Sequence, residues 1–443
     1  MSARAPIADA AAREAALDPR RSFIVQAPAG SGKTELLVQR YIRLLGVVQK
    51  PEEIVAITFT IKAAAEMRER VLSKIANAGE IAHRLRIQTI DAFCASLTRQ
   101  MPVLSRFGAQ PGVIEDAREH YAEAALRCVD ELTPAACRLL SHLDNNIDTA
   151  TNLIATMLAK RDQWLRKAGL APTRRELEAA LQAERARLLA HARSLHPRAS
   201  AEFAAAALTQ SYTWRARANP VPAAQQTEPL RHALEMLLRQ PAERYTDEQW
   251  ETIGAILELL PRAAAHLKLV FAERGETDFT EIAQGAVRAL GTPDNPTDLL
   301  LALDTRISHI LVDEFQDTSN SQYELLLKLT SGWQPDDGRT LFLVGDPMQS
   351  IYRFREAKVA LFLQAWEHGL SIPAAVVPAQ AGTHVQLERL TLTTNFRSQA
   401  GLVDWYNGAF PNILPREADP ASGAMPYSKA TPHHDRLPAE AVI

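Results

Sequence analysis

The sequence is poor in the features that announce a specialised protein. It has no excess of basic charge: 49 Lys and Arg against 52 Asp and Glu give a formal net charge of −3. A globally basic surface for gripping nucleic acid is excluded, so any DNA contact has to come from a local groove. Cysteine is scarce. Cys94, Cys128 and Cys137 form no CxxC pair and are odd in number. That excludes a zinc ribbon and a disulfide framework, and it fits a reducing, cytoplasmic setting. The 12 histidines fall at no metal-ligand spacing. No apolar run reaches the roughly 18 residues of a membrane span. Met1–Asp18 is Ala-rich with acids and arginines, and lacks the apolar core of a signal peptide. No membrane partner is expected.

What is present is a globular composition, 47% hydrophobic and 23% charged over 443 residues. That length has room for about two to four domains. Residues 22–27 read as a short buried strand, followed by a Gly-containing turn at 28–32 and a helical pattern over 33–45. A second strand at 54–58, a helix from about 62 to 76, a strand at 86–89 and a helix at 92–100 continue the rhythm. Alternation of strands and helices predicts a parallel sheet covered by helices. From about 112 to 300 the chain turns to Ala, Leu, Glu and Arg at helical spacing, which predicts a large α-helical insertion. Strand patterns return at 307–312, 340–344 and 390–393, with a helix at 321–330. The stretch 371–385 reads as an irregular loop, and 411–443 has weak periodicity and reads as poorly ordered.

Two segments carry chemistry. Ala27, Pro28, Ala29, Gly30, Ser31, Gly32, Lys33 and Thr34 match the P-loop pattern except that Ala27 stands where the first Gly is usual. The backbone amides of Gly30 to Thr34 would cradle a triphosphate at a helix N-terminus. Lys33 would reach the β- and γ-phosphates, and Thr34 would ligate Mg²⁺. The second segment, Leu311 to Thr318, places Asp313 and Glu314 at the C-terminal end of an apolar strand. Doubly wound sheets put their ligands there. Asp313 would hold Mg²⁺ and Glu314 would orient or deprotonate the attacking water. An isolated acid pair could also be a solvated turn. Its company with a P-loop favours the catalytic alternative.

Asp313-Glu314-Phe315-Gln316-Asp317 resembles the DExQD motif of the UvrD/Rep helicases. Five further segments match that family in order. Thr58 to Met67 is similar to TFTNKAAxEM, with Ile61 in place of Asn. Thr89 to Cys94 resembles a THSFC-type motif, and Thr277-Asp278-Phe279 resembles the element that closes the inserted domain. Gly345 to Arg355 is similar to GDxxQSIYxFRGA, and Leu392 to Ser398 resembles LxxNFRS. Phe23 to Gly30 points towards the exonuclease V beta, RecB/AddA-like branch. The resemblance implies a RecA-like P-loop NTPase fold, α/β in class, acting as an ATP-dependent DNA helicase in repair and recombination. It implies ATP and Mg²⁺ as cofactors, single-stranded or duplex DNA as partner, and possible company with a second helicase-nuclease subunit. It implies that Gln349 senses the γ-phosphate, that Arg397 acts on it as an arginine finger, and that Phe396 packs near adenine. Phe59, Tyr352 and Phe354 would stack on bases, which any sequence permits because every base has a π-face. Lys62 and Arg355 would meet phosphates.

The family frame predicts a motor domain built from 1–110 and 297–370, a helical insertion at 111–296, and a fragment of a second motor domain at 386–443. Two Arg-aromatic clusters in the insertion, 160–167 and 212–217, read as solvated helix faces with a core Trp or as DNA contacts. The family's N-terminal adenine-reading Gln has no counterpart in Asp9 to Leu17. Its later motifs and the nuclease domain do not appear before Ile443. Two readings therefore compete: a DNA motor, or a module that binds ATP and DNA without unwinding. A kinase or transporter ATPase would not carry these motifs in this order.

Overall fold

The computed structural model describes residues 7–436 except 77, 109, 166–171, 293–294, 351–357, 372–384 and 416–424. The chain divides into two units, 1–117 with 271–443, and 118–270.

The first unit is built on a six-stranded sheet. Its strands are β1 (Phe23–Gln26), β2 (Ile54–Thr58), β3 (Arg86–Thr89), β4 (His309–Val312), β5 (Thr340–Gly345) and β6 (Glu388–Thr391), in the order β6-β1-β5-β4-β2-β3. Every pairing is parallel. Parallel strands buried on both faces need continuous apolar runs. β2, β4 and β5 supply them, with every residue buried. Alternate side chains then feed two separate cores. Ile24, Val55, Ile57, Ile310, Leu341 and Leu343 face one. Phe23, Val25, Ile54, Ala56, Leu311 and Phe342 face the other. Each Val, Leu, Ile or Phe among them contributes about 1.5–3 kcal/mol of burial.

The helices α1 (Ala10–Ala16), α2 (Lys33–Leu45) and α3 (Ile61–Leu72) give buried residues to the second core. The helix α4 (Ile90–Gln100) covers the first core together with the helices Phe279–Ala289, Asn320–Leu329 and Val359–His368. Caps fix where these helices start. Thr60 Oγ1 accepts from Ala63 N, and Thr89 Oγ1 accepts from Ala92 N. Such a cap stabilises a helix by about 1 kcal/mol.

Arg40 is a residue that no sequence pattern flagged. It lies on α2 with 0% exposure. Its guanidinium donates to the carbonyls of Ala16, Asp18 and Arg21 and stands 4.4 Å from the Phe342 ring centroid. It ties the N-terminal segment to the sheet.

The structure departs from the sequence expectations in several places. Residues 388–391, expected in a second motor domain, form the sixth strand of the sheet, paired in parallel with β1 from Phe23↔Glu388 to Gln26↔Thr391. Residues 111–117 and 271–296, expected in the insertion, belong to the sheet-bearing unit. There Ile282, Ala283 and Ala286 bury an apolar helix face in the sheet's first core. Residues 431–434, expected to be poorly ordered, form a strand, β8, paired with the strand β7 (Thr394–Gln399). The irregular loop lies almost wholly outside the described residues.

The second unit is helical. Arg174–Leu195, Ala201–Ala207 and Glu228–Leu238 share a core that includes Leu188, Leu208, Leu230 and Leu234, with Trp214 packed against it. Arg161 and Asp162, expected on a solvated face, are buried at 1% and 2% exposure. No described helix is long and apolar enough to cross a membrane.

Candidate nucleotide site

The loop between β1 and α2 turns on two glycines. Gly30 and Gly32 have φ of 77° and 79°, a region that side chains other than glycine seldom adopt. A Cβ on Gly30 would also fall 2.7 Å from Asn395 Oδ1 and 2.9 Å from Arg397 Cβ. Ala27, at the missing first Gly, is fully buried and donates its N–H to Gly345 O at 2.9 Å. Ser31 Oγ is buried without a hydrogen-bond partner among the described residues. A buried hydroxyl left unpaired costs about 1–3 kcal/mol. An oxygen-rich ligand on this loop would supply its partner.

Lys33, first residue of α2, donates from Nζ to Glu314 Oε2 at 2.7 Å. Glu314 follows β4 with φ 52° and ψ 42°, a left-handed conformation that is strained for this residue type. Asp313 is beside it, its carboxylate accepting Glu314 N at 3.0 Å. Burial, followed by the charge of Glu314, pushes the Asp313 pKa up to about 6. Burial does the same to Asp317, also to about 6, and raises Asp346. Desolvated carboxylates of this kind gain from a nearby cation. The described residues contain no cluster of three or more His, Cys, Asp or Glu suited to a metal. Mg²⁺ shared with phosphates would need only one or two protein ligands, because this ion keeps several waters. Thr34 and Asp313 fit that donor set.

A hydrogen-bond chain leads on from Glu314. Gln316 Nε2 donates to Glu314 Oε2 at 2.8 Å and to Asp317 Oδ2 at 3.2 Å. Its Oε1 accepts Asp346 N at 2.9 Å. Gln349 donates to Asp346 Oδ2, and Ser350 Oγ donates to Asp317 Oδ1 at 2.9 Å. Gly345 makes room for Gln316, since a Cβ there would meet Gln316 Oε1 at 2.5 Å. Lys33, Glu314 and Gln349, far apart in sequence, are thus joined in one network.

The start of β7 docks on the loop. Asn395 Nδ2 donates to Ala29 O at 3.2 Å, and Phe396 N donates to Gly30 O at 2.8 Å. Asn395 Oδ1 accepts the amides of Arg397 and Ser398, both at 2.9 Å. Arg397 is brought over the loop with its side chain exposed. Phe59 lines a narrow cleft with Thr58, Asp313, Glu314 and Thr318. Lys62 lies on the exposed first turn of α3. Tyr352, Phe354 and Arg355 lie outside the described residues.

Sequence reasoning missed several members of this site. Gln316, Asp317, Asp346 and Asn395 sit inside motifs already quoted, so their position in the motif was the signal. Asp9 and Arg13 carried none. Asp9 accepts the amides of Thr393 and Thr394 at 2.7 and 3.0 Å and the Thr394 hydroxyl at 2.8 Å. Burial works to raise its pKa, but hydrogen bonds from Arg13, Thr394 and Thr393 outweigh that and hold it at about 2. A depressed carboxylate stabilises the fold above its unfolded pKa near 4, and that contribution is lost as pH falls from about 4 to 2. The contribution is about 2 kcal/mol. Urea unfolding at pH 5 and pH 2.5 should show this loss in the wild type and a smaller one in Asp9→Asn.

A glycine loop after a buried strand, with an acid pair ending another strand of the same parallel sheet, defines a P-loop NTPase fold. More particularly, the chain belongs to the family described as the UvrD/REP helicase N-terminal domain, whose profile matches residues 8–368. Its relatives include the A-type subunit of the ATP-dependent helicase/nuclease from Exiguobacterium sibiricum, 27% identical over 94% of this chain and 41% of that protein. The proteins of that name from Pelotomaculum thermopropionicum and Desulforudis audaxviator are 28% and 27% identical, over 91% and 94% of this chain. The chain covers 41%, 38% and 40% of these three relatives, about two fifths of their length.

Proposed function

We infer that this chain is the ATP-hydrolysing, DNA-contacting part of a DNA motor that serves repair and recombination. The observation that carries the reading is the seating of Asn395, Phe396 and Arg397 on the same loop that presents Lys33 to Glu314. Residues 118–270 are then the inserted domain, and the chain beyond β6 is the start of the second motor domain.

In this reading the amides of Gly30 to Thr34 hold the triphosphate, and Lys33 leaves Glu314 for the β- and γ-phosphates. Thr34 and Asp313 would hold Mg²⁺, which would supply positive charge to the phosphate oxygens. Glu314, freed from Lys33, orients the attacking water and takes its proton. Arg397 stabilises the charge of the transferring phosphoryl group, and Phe396 packs near the adenine. Gln349 reads the γ-phosphate and passes its state through Asp346, Gln316 and Glu314. Phe59, Tyr352 and Phe354 stack on bases of single-stranded DNA, and Lys62 and Arg355 meet its phosphates. A second helicase-nuclease subunit is the partner proposed.

The test is ATP hydrolysis by the 443-residue chain with and without single-stranded DNA, beside Lys33→Ala. Turnover that rises with DNA and vanishes in Lys33→Ala is expected. Binding of ATP and DNA without turnover would make the chain a binding module, and absence of ATP binding would remove the reading.

A further inference from the structure

The turn that follows the acid pair is held from a second direction. It leaves Glu314 tightly wound, closed by Asp317 N donating to Glu314 O at 2.9 Å and by Thr318 N donating to Phe315 O at 3.2 Å. Phe315 is fully buried, its ring centroid 6.3 Å from that of Tyr323 and 6.1 Å from that of Phe362. A turn wedged in this way shifts as a unit, because a packed core does not deform continuously.

Two contacts tie this turn to chain that lies after β5. Ser350 Oγ donates to Asp317 Oδ1 at 2.9 Å. Lys358 N donates to Thr318 O at 3.2 Å. The residues on either side of the stretch 351–357 are therefore bonded to consecutive positions of the turn that Glu314 begins. That stretch carries Tyr352, Phe354 and Arg355, the residues proposed to contact DNA. Asp317 is 3% exposed. Among the described residues its carboxylate is held by two neutral donors, the Ser350 hydroxyl and the Gln316 amide. The same amide donates to Glu314 Oε2 at 2.8 Å. With no ion pair among these partners and little access for water, removing one donor leaves a buried oxygen unpaired.

We propose that Asp317 is a positioning residue that couples DNA to hydrolysis: its bond to Ser350 lets DNA on the 351–357 stretch set the orientation of Glu314 through Gln316. The route starts at Ser350 and reports DNA, whereas the route that starts at Gln349 reports the γ-phosphate. Coupling between two sites needs an element that both can bias. The turn after Glu314 is bonded on one side to the general base and on the other to the residues that bound the DNA stretch. The proposal rests on the reading that Glu314 activates the water and that Tyr352, Phe354 and Arg355 meet DNA.

The test is the ratio of ATP turnover with saturating thymidine oligonucleotide to turnover without it, measured on the 443-residue chain at saturating ATP and Mg²⁺. Ser350→Ala is expected to lower that ratio about tenfold, or to one where the wild-type ratio is smaller, the scale of one charge-assisted hydrogen bond. Ser350→Thr keeps the hydroxyl and should hold the ratio within about twofold of wild type. Asp317→Asn should lose as much as Ser350→Ala, because its amide nitrogen stands against a donor on one side or the other. The double variant should fall no further than Asp317→Asn alone, since both changes remove one contact. Oligonucleotide affinity, read by fluorescence anisotropy, should stay within about threefold of wild type in Ser350→Ala, and circular dichroism checks folding. A ratio within about twofold of wild type in folded Ser350→Ala would overturn the proposal and leave the functional reading intact, whatever Asp317→Asn does. Additive losses in the double variant would overturn it too, as would an affinity loss beyond about tenfold, which would put Ser350 in the DNA surface itself. If DNA does not raise the turnover of the wild type, both the proposal and the reading beneath it fall.

Discussion

Glu314→Gln is expected to lower the rate of ATP hydrolysis by about 10²–10⁴-fold while nucleotide affinity holds or tightens. The two halves of that result have separate causes. The amide keeps the shape of the side chain and its place beside Gln316, but it cannot accept the proton of the attacking water. It also removes the anion that Lys33 contacts at 2.7 Å in the free chain. Lys33 then reaches phosphate without first breaking an ion pair, so binding should not suffer. Turnover at saturating ATP and Mg²⁺, set beside calorimetric binding of the β,γ-imido analogue, separates the two effects. A fall of less than about tenfold with binding intact would take the general-base role away from Glu314.

Arg40→Ala is expected to destabilise the sheet-bearing unit by about 3–5 kcal/mol. The side chain is fully buried and supplies hydrogen-bond donors to three backbone carbonyls. Without it those carbonyls sit in apolar surroundings beside Phe23 and Phe342, unpaired or reached only by water entering the cavity. Burial pulls the pKa of Arg40 down from its usual value, yet it stays a cation at neutral pH. Arg40→Lys should recover only part of the loss, because one ammonium cannot reach the carbonyls that a planar fork spans. Urea unfolding followed by circular dichroism checks both variants. A loss below about 1 kcal/mol in Arg40→Ala would mean that water replaces the guanidinium at little cost.

The sheet was legible in advance because its strands are short, apolar and bounded by turns. β2, β4 and β5 announce themselves as runs that only a sheet buried on both faces can use. β6 reads as part of another domain because the family frame puts it there, and three of its four residues, Glu388, Arg389 and Thr391, are polar. Its place at the sheet edge follows from its pairing with β1, which lies hundreds of residues away in the chain. β8 escapes the sequence for the same reason: Thr431 to His434 has no strand-like apolar pattern, and it forms by pairing with β7. Arg161 and Asp162 carry the polarity of a surface turn, and only packing around them shows that they are buried.

The sequence by itself determined the P-loop, the acid pair after an apolar strand, the parallel sheet and the family, because each rests on local spacing and on residue types with a fixed chemistry. Tertiary structure alone decided that Lys33 meets Glu314, that Gln316 links Glu314 to the Gln349 turn, that Asn395 and Phe396 seat on the glycine loop, and that Arg13 reaches Ser31 O. Most of these contacts join residues far apart in the chain. Hydrogen-bond geometry and burial select them once the sheet has closed, and neither quantity is written in local order.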